Sequence, residues 1–195
     1  MTTPEKLPIP VLIGVGIIIG LINGFGVQKL KIPPLAMTLI MSNVVAGFSI
    51  LITRAQPTIN VPSVLMTMGR PLIGPIRTLT VIALLFIVVF ELILRKTRYG
   101  QMIFLSGSNR NAAKLAGIKV DAVVISTYIL SACIAAISGI ILFGYVGSAS
   151  MDMGDQYTMT TLAAVIIGGT KLSGGKGSLI GALLGAIMIQ TLSSV

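Results

Sequence analysis

The sequence predicts an all-α polytopic membrane protein, one domain over residues 1–195 with about five to six transmembrane helices and a glycine-broken segment near the C-terminus. Three observations predict it. Charged residues fill only 10% of the chain, against roughly 25% in a soluble domain. Hydrophobic residues reach 54%, with 22 glycines besides, and the mean hydropathy is +1.00. A compact soluble fold of this size could not keep so much apolar surface from water. The apolar residues also come in runs, several near the ~20 residues a helix needs to cross a hydrocarbon core about 30 Å thick.

Four runs meet that length: Leu7–Val27, Leu35–Ile52, Thr78–Leu94 and Val123–Val146. Ser178–Val195 is also long enough to span. Thr158–Gly169 has 12 residues and reaches only about 18 Å. It is expected to be a half-helix, or to continue irregularly through the glycines behind it. Gly16, Gly20 and Gly24 recur at intervals of four on the first span, as do Gly177, Gly181 and Gly185 on the last. That spacing lines one helix face with missing side chains, where another backbone can approach.

Between the last two apolar runs lies G168-G-T-K-L-S-G-G-K-G177. Its spacing invites comparison with a phosphate-binding loop, which needs Lys directly after the second Gly and a hydroxyl residue next. Here Gly175 stands in the Lys position and Gly177 follows Lys176, so nucleotide binding by this segment is excluded. Gly168, Gly169, Gly174, Gly175 and Gly177 each cost a helix about 1 kcal/mol. The segment is therefore a helix break, either lining a pathway at membrane depth or forming a short cytoplasmic loop with Lys171 and Lys176 as its charges.

Orientation follows from the loops. The stretch 95–121 carries Arg95, Lys96, Arg98, Arg110, Lys114 and Lys119 against a single acid, which places it in the cytoplasm. Lys29 and Lys31 then fall on the same side. The loop Gly147–Tyr157, with Asp152 and Asp155 and no Lys or Arg, falls outside. So do the 53–77 connection and the N-terminus, although Arg54, Arg70 and Arg77 run against the bias. An outside start with only MTTPEK before the first span, and an end inside an apolar helix, lead to the expectation of a piece of a longer protein.

Several function classes are excluded by counting. There is no His, and the one Cys, Cys133, lies in an apolar run. Neither a zinc cluster, nor an internal disulfide, nor a Ser-His or Cys-His nucleophile can be built, and no cofactor is called for. The net charge of +9 goes with cytoplasmic loops rather than nucleic acid, since Trp is absent and only 4 Tyr and 6 Phe are available for stacking. Glu91 is the only acid within a span and precedes Arg95 by one turn, so an interfacial ion pair is expected. With no charge left near midplane for ion coupling, energy for any transport must come from elsewhere. Asn23, Thr38, Ser42 and Asn43 are the uncharged polar groups that could line a pathway or bond neighbouring helices.

The cytoplasmic stretch reads L94-R-K-T-R-Y-G-Q-M-I-F-L-S-G-S-N-R-N-A-A-K-L-A-G-I118. It resembles the cytoplasmic loop of binding-protein-dependent ABC importer permeases of the ribose and simple-sugar type, in Arg95, Thr97, Tyr99, Gly100, Gly107, Asn109, Ala112, Ala113, Gly117 and Ile118. A163-A-V-I-I-G-G-T-K-L-S-G-G-K-G-S-L-I-G-A-L-L-G185 looks like that family's C-terminal glycine signature, and G20-L-I-N-G-F-G-V-Q-K-L-K-I-P-P-L-A-M-T-L39 like an earlier block. The three blocks stand in the family's order and cover most of the chain. Arg110 and Asn111 depart from the usual Pro and acid, and Thr158-Met159-Thr160 from the usual Glu-Leu-Asp.

The resemblance implies a transport subunit of the bacterial plasma membrane without catalysis of its own. Its partners would be a cytoplasmic ABC ATPase, an extracytoplasmic solute-binding protein and a second permease subunit. Within the 95–121 loop, Asn109, Arg110, Asn111, Ala112, Ala113, Lys114 and Gly117 would form the helix that couples to the ATPase. Asn23, Thr38, Asn43, Gly168, Gly169, Gly174, Gly175 and Gly177 are the candidates for the pathway or the helix break. Ribose, other monosaccharides, a sugar-like signal and a nucleoside all fit as solutes. The reading from another class is a small structural or regulatory membrane protein that packs against partner helices.

Overall fold

The computed structural model describes residues 9–54, 56, 71–73, 76–150 and 153–194. MTTPEK, Leu7, Arg70, Asp152 and Val195, which entered the span limits and the charge bias, lie outside the described residues. The helices are α1 (Ile9–Gln28), α2 (Pro34–Thr53), α3 (Thr78–Lys96), α4 (Arg98–Ser108), α5 (Arg110–Leu115), α6 (Val120–Val146), α7 (Asp155–Ile167) and α8 (Leu179–Ser193). A short antiparallel pair, β1 (Pro71–Ile73) with β2 (Ile76–Arg77), precedes α3. Two such small strands leave the all-α class unchanged.

Among the described residues, α1, α2, α3 and α6 are long and apolar enough to cross a membrane. The 27 residues of α6 extend about 40 Å. The last apolar run is shorter as a helix than as a hydrophobic stretch. Ser178 caps α8 rather than joining it, and 15 residues remain, about 22 Å. The chain divides into two compact units, residues 1–81 with 125–153, and residues 82–124 with 154–195.

In the first unit, α1 meets α6 along its glycines. A Cβ built on Gly20 would stand 2.5 Å from Ile129 Cα and 2.8 Å from the Tyr128 carbonyl oxygen. One on Gly24 would stand 2.9 Å from Ile125 Cα, and one on Gly16 would stand 3.1 Å from the Ala132 carbonyl oxygen. The face expected to meet a backbone does so. The α1–α2 turn passes through Lys31 at φ 56°, and Pro34 opens α2, where its missing N–H costs no helical bond. None of the residues of α2 is buried, which suits a helix whose apolar surface meets lipid or other helices.

In the second unit, α7 and α8 pack backbone to backbone. A Cβ on Gly181 would run into the Gly168 carbonyl oxygen, and one on Gly185 into that of Ala164. Gly177 does not continue this stripe, contrary to the spacing. It precedes the cap Ser178 and faces Thr170, whose Cγ2 would lie 2.8 Å from an added Cβ. The helix break is real: α7 ends at Ile167 and α8 begins at Leu179. Gly168 and Gly169 close α7, with Gly169 at φ 84°. The amides of Gly169 and Thr170 return to the carbonyls of Ile166 and Val165 at 2.9 and 3.1 Å. This is the paired closure that a left-handed glycine permits at a helix end.

Candidate functional site

The 95–121 segment contains two helices, whereas the sequence suggested one. α3 runs to Lys96, the chain bends at Thr97, and α4 departs at once. The Thr97 hydroxyl accepts the Gly100 amide at 3.2 Å and donates to the Ile93 carbonyl at 2.6 Å, so it serves both helices. Gly100 is buried, and a Cβ there would collide with the Leu94 backbone. The Thr and Gly of the quoted motif are therefore the two residues that make this bend tight. A shallow, open groove of about 610 Å³ lies beside the bend, lined by Leu94, Arg95, Gln101, Phe104 and Leu105. Its openness makes it unsuited to enclosing a solute.

Asn109 joins α4 to α5. Its own amide donates to the Leu105 carbonyl at 3.1 Å, closing α4. Its side-chain oxygen accepts the amides of Asn111 and Ala112, both at 3.1 Å, opening α5. An Asn at this position satisfies amides that the first turn of a helix leaves without partners. At the other end, Gly117 sits at φ 78°. Its amide bonds the Lys114 carbonyl and the Ile118 amide bonds that of Ala113, each at 3.0 Å. Both ends of this six-residue helix are thus closed. Ala113 faces inward at 3% exposure, while Arg110, Asn111, Ala112, Lys114 and Leu115 are exposed. Leu115 is 91% exposed, an apolar side chain held out on a basic helix. It was not among the residues picked from sequence.

The second glycine block meets this segment directly. The loop after α7 turns at Lys171–Gly174, the Gly174 amide bonding the Lys171 carbonyl at 3.0 Å, and continues through Gly174 and Gly175 at φ 86° and 81°. The two glycines lie against the last residues of α4. A Cβ on Gly107 would stand 2.6 Å from the Gly175 nitrogen, and one on Gly175 would stand 2.7 Å from Ser108 Cα. The Ser108 hydroxyl donates to the Gly175 carbonyl at 3.3 Å. Two motifs about 70 residues apart in the chain thus share one backbone contact.

Glu91 completes the arrangement. It is 6% exposed. One oxygen accepts from Arg95 Nε at 2.6 Å, the pair expected from the spacing. The other accepts the Leu179 amide at 2.9 Å, at the start of α8, which the spacing did not indicate. Ser178 also caps α8, its hydroxyl accepting the Gly181 amide at 2.9 Å.

The polar candidates of the first unit differ in burial and bonding. Thr38 donates to the carbonyls of Pro34 and Leu35, both at 3.1 Å, and Asn43 to that of Leu39 at 2.9 Å. Both are exposed on α2, with their donors turned back on their own helix. Asn23 is instead buried at 8% exposure, and its side-chain oxygen accepts no hydrogen bond. Among the described residues no group of His, Cys, Asp and Glu could hold a metal ion.

Membrane-length helices, two of them packed through glycine, with a short capped basic helix between α3 and α6 in the chain, are the build of a multi-pass membrane protein. The family model for the branched-chain amino acid transport system / permease component matches residues 6–195, and the chain belongs to that family. It is 35% identical over 198 residues to the fructose import permease protein FrcC of Rhizobium meliloti, covering 97% of this chain and 55% of that protein. It is 31% identical over 184 residues to the autoinducer 2 import system permease protein LsrC of Yersinia enterocolitica, covering 94% of this chain and 51% of that protein. The chain thus spans about half the length of the curated relatives it matches. No solved structure matches it. With bacterial permeases as relatives and, among the described residues, four helices of spanning length, it is a multi-pass protein of the bacterial inner membrane.

Proposed function

We propose that this chain forms transmembrane permease structure in an ABC importer that carries a sugar or sugar-like solute inward. A separate ATPase supplies the energy, and the chain itself catalyses nothing. Residues 1–195 are read as part of one transmembrane domain, with 95–121 as its cytoplasmic coupling loop. The observation that carries the reading is α5: capped by Asn109, closed by Gly117, basic through Arg110 and Lys114, and presenting Leu115 to its surroundings. A rigid, short, exposed helix of this kind suits docking into a groove on a partner. An apolar tip can be buried there while the basic residues meet acidic ones at the rim. Relatives named for fructose and autoinducer 2 import support a sugar or sugar-like solute. The reading as a structural or regulatory membrane protein has no counterpart among those relatives.

The partners that follow are an ABC ATPase on the cytoplasmic side, an extracytoplasmic solute-binding protein, a second permease subunit and the surrounding bilayer. Asn109, Arg110, Asn111, Ala112, Ala113, Lys114 and Gly117 make up the coupling helix and its ends. Asn23, Thr38 and Asn43 remain the polar candidates for the pathway. Gly168, Gly169, Gly174, Gly175 and Gly177 shape the break that seats α8. A Cys placed at Lys114 tests the reading. It should crosslink to the ATPase and react with maleimide only from the cytoplasmic face. Labelling from outside intact cells would overturn the topology and the coupling role together.

A further inference from the structure

We infer that Glu91 is a positioning residue that makes α8 move with the coupling segment, an inference that rests on the coupling role proposed above. α5 continues from α4 through Asn109, and the end of α4 lies on Gly174–Gly175 through Gly107 and Ser108. A push on α5 therefore reaches the glycine loop first. Between Gly175 and the start of α8 stand only Lys176, Gly177 and Ser178. Glycine-rich backbone bends easily, so this link alone would absorb a displacement instead of passing it on.

The Glu91 carboxylate supplies a second attachment beyond the soft link. It reaches from the last turns of α3 to the Leu179 amide, 88 residues away in the chain. Ser178 already provides a local cap for α8, so closing the helix end does not by itself require Glu91. What Glu91 adds is a tie between helices. A charged acceptor on a helix-start amide is favoured both as a charge-assisted bond and by the helix dipole. Arg95 holds the other oxygen and fixes the carboxylate's direction. The segment from Gly175 to Leu179 is consequently gripped at both ends, by α4 and by α3.

The test uses the complete transporter in vesicles, with its ATPase and binding protein, and reads solute imported per ATP hydrolysed. E91Q keeps the size of the side chain and an acceptor oxygen but loses the charge. Its uptake per ATP should fall at least about threefold, since charge-assisted bonds are roughly twice as strong as neutral ones. ATP hydrolysis and the Lys114-site crosslink to the ATPase should persist. S178A removes only the local cap and should keep the wild-type ratio. If E91Q does not reach the membrane, E91D, which keeps the charge but draws the carboxylate back from the Leu179 amide by one methylene, tests the same tie with the same expected fall. A wild-type ratio in the Glu91 variants, or a loss of uptake that only follows a loss of protein, overturns the inference. Absence of ATP-driven uptake in the wild-type assembly would instead refute the importer reading itself.

Discussion

Replacing Gly175 by Ala should cost far more than the same replacement at Gly169, although both residues occupy the left-handed region, at φ 81° and 84°. An L-residue held there costs about 1–2 kcal/mol. At Gly169 that is the whole penalty, because nothing lies within 4 Å of the added Cβ. At Gly175 the Cβ also meets Ser108 Cα at 2.7 Å and Ser108 nitrogen at 2.8 Å. Those are backbone atoms of a helix and cannot rotate away. Overpacking of this kind adds roughly 1–3 kcal/mol, so G175A should lose about 2–5 kcal/mol in total. Gly107→Ala isolates the steric part: its Cβ meets the Gly175 nitrogen at 2.6 Å, with no left-handed strain and a helix-propensity gain of about 1 kcal/mol in its favour. Denaturation midpoints of the purified complete permease, measured in one detergent, should fall furthest for G175A. Equal midpoints for G169A and G175A would refute the claim that α4 and the glycine loop touch through their backbones.

Two further outcomes follow from the same reasoning. Gly20→Leu should reduce the amount of folded protein in the membrane severely, whereas Gly14→Leu, with nothing within 4 Å of its Cβ, should be tolerated; quantifying both after detergent extraction and size-exclusion chromatography checks this, and similar losses would show that α1 does not pack through its glycine face. Asn109→Ala removes the acceptor for two amides and should weaken α5 by about 1 kcal/mol, lowering uptake per ATP while Asn109→Asp retains it; an Ala variant with the wild-type ratio would show that the cap is dispensable for coupling.

The parts of this structure that were legible in the sequence are those whose chemistry is local. Span positions follow from runs of apolar residues, and four of them became helices close to the expected limits. Asn109 and Gly117, named for the helix of the 95–121 loop, are local signals too, since a cap and a stop each act within a few residues of themselves. The Glu91–Arg95 pair was legible because its members are one helical turn apart. α4 was not, since Arg98, Gly100 and Gly107 interrupt its apolar pattern and its capping Thr97 follows the preceding helix without a gap. Gly177 misled for the opposite reason. Spacing by four assumes an unbroken helix, and Ser178 starts a new one.

What local reasoning could not supply is the identity of the partner each glycine meets. Regular spacing on α1 implied a close backbone without indicating that it belongs to α6. The second glycine block implied a helix break, leaving open whether it lines a pathway or turns in a loop. Its contact with Gly107 and Ser108 ties the break to the 95–121 segment, and the Glu91 bond to the Leu179 amide repeats that tie three residues beyond Lys176. Neither contact leaves a signature in composition or periodicity, because a backbone amide has no residue type and a glycine approached by backbone looks like any other. Both blocks consequently read as separate motifs in the sequence, although in the structure they form two sides of one joint. Substitutions on the two sides should therefore fail to add: once Gly175→Ala has forced the contact open, Gly107→Ala has less of it left to disrupt, and the double variant should cost less than the sum of the two single changes.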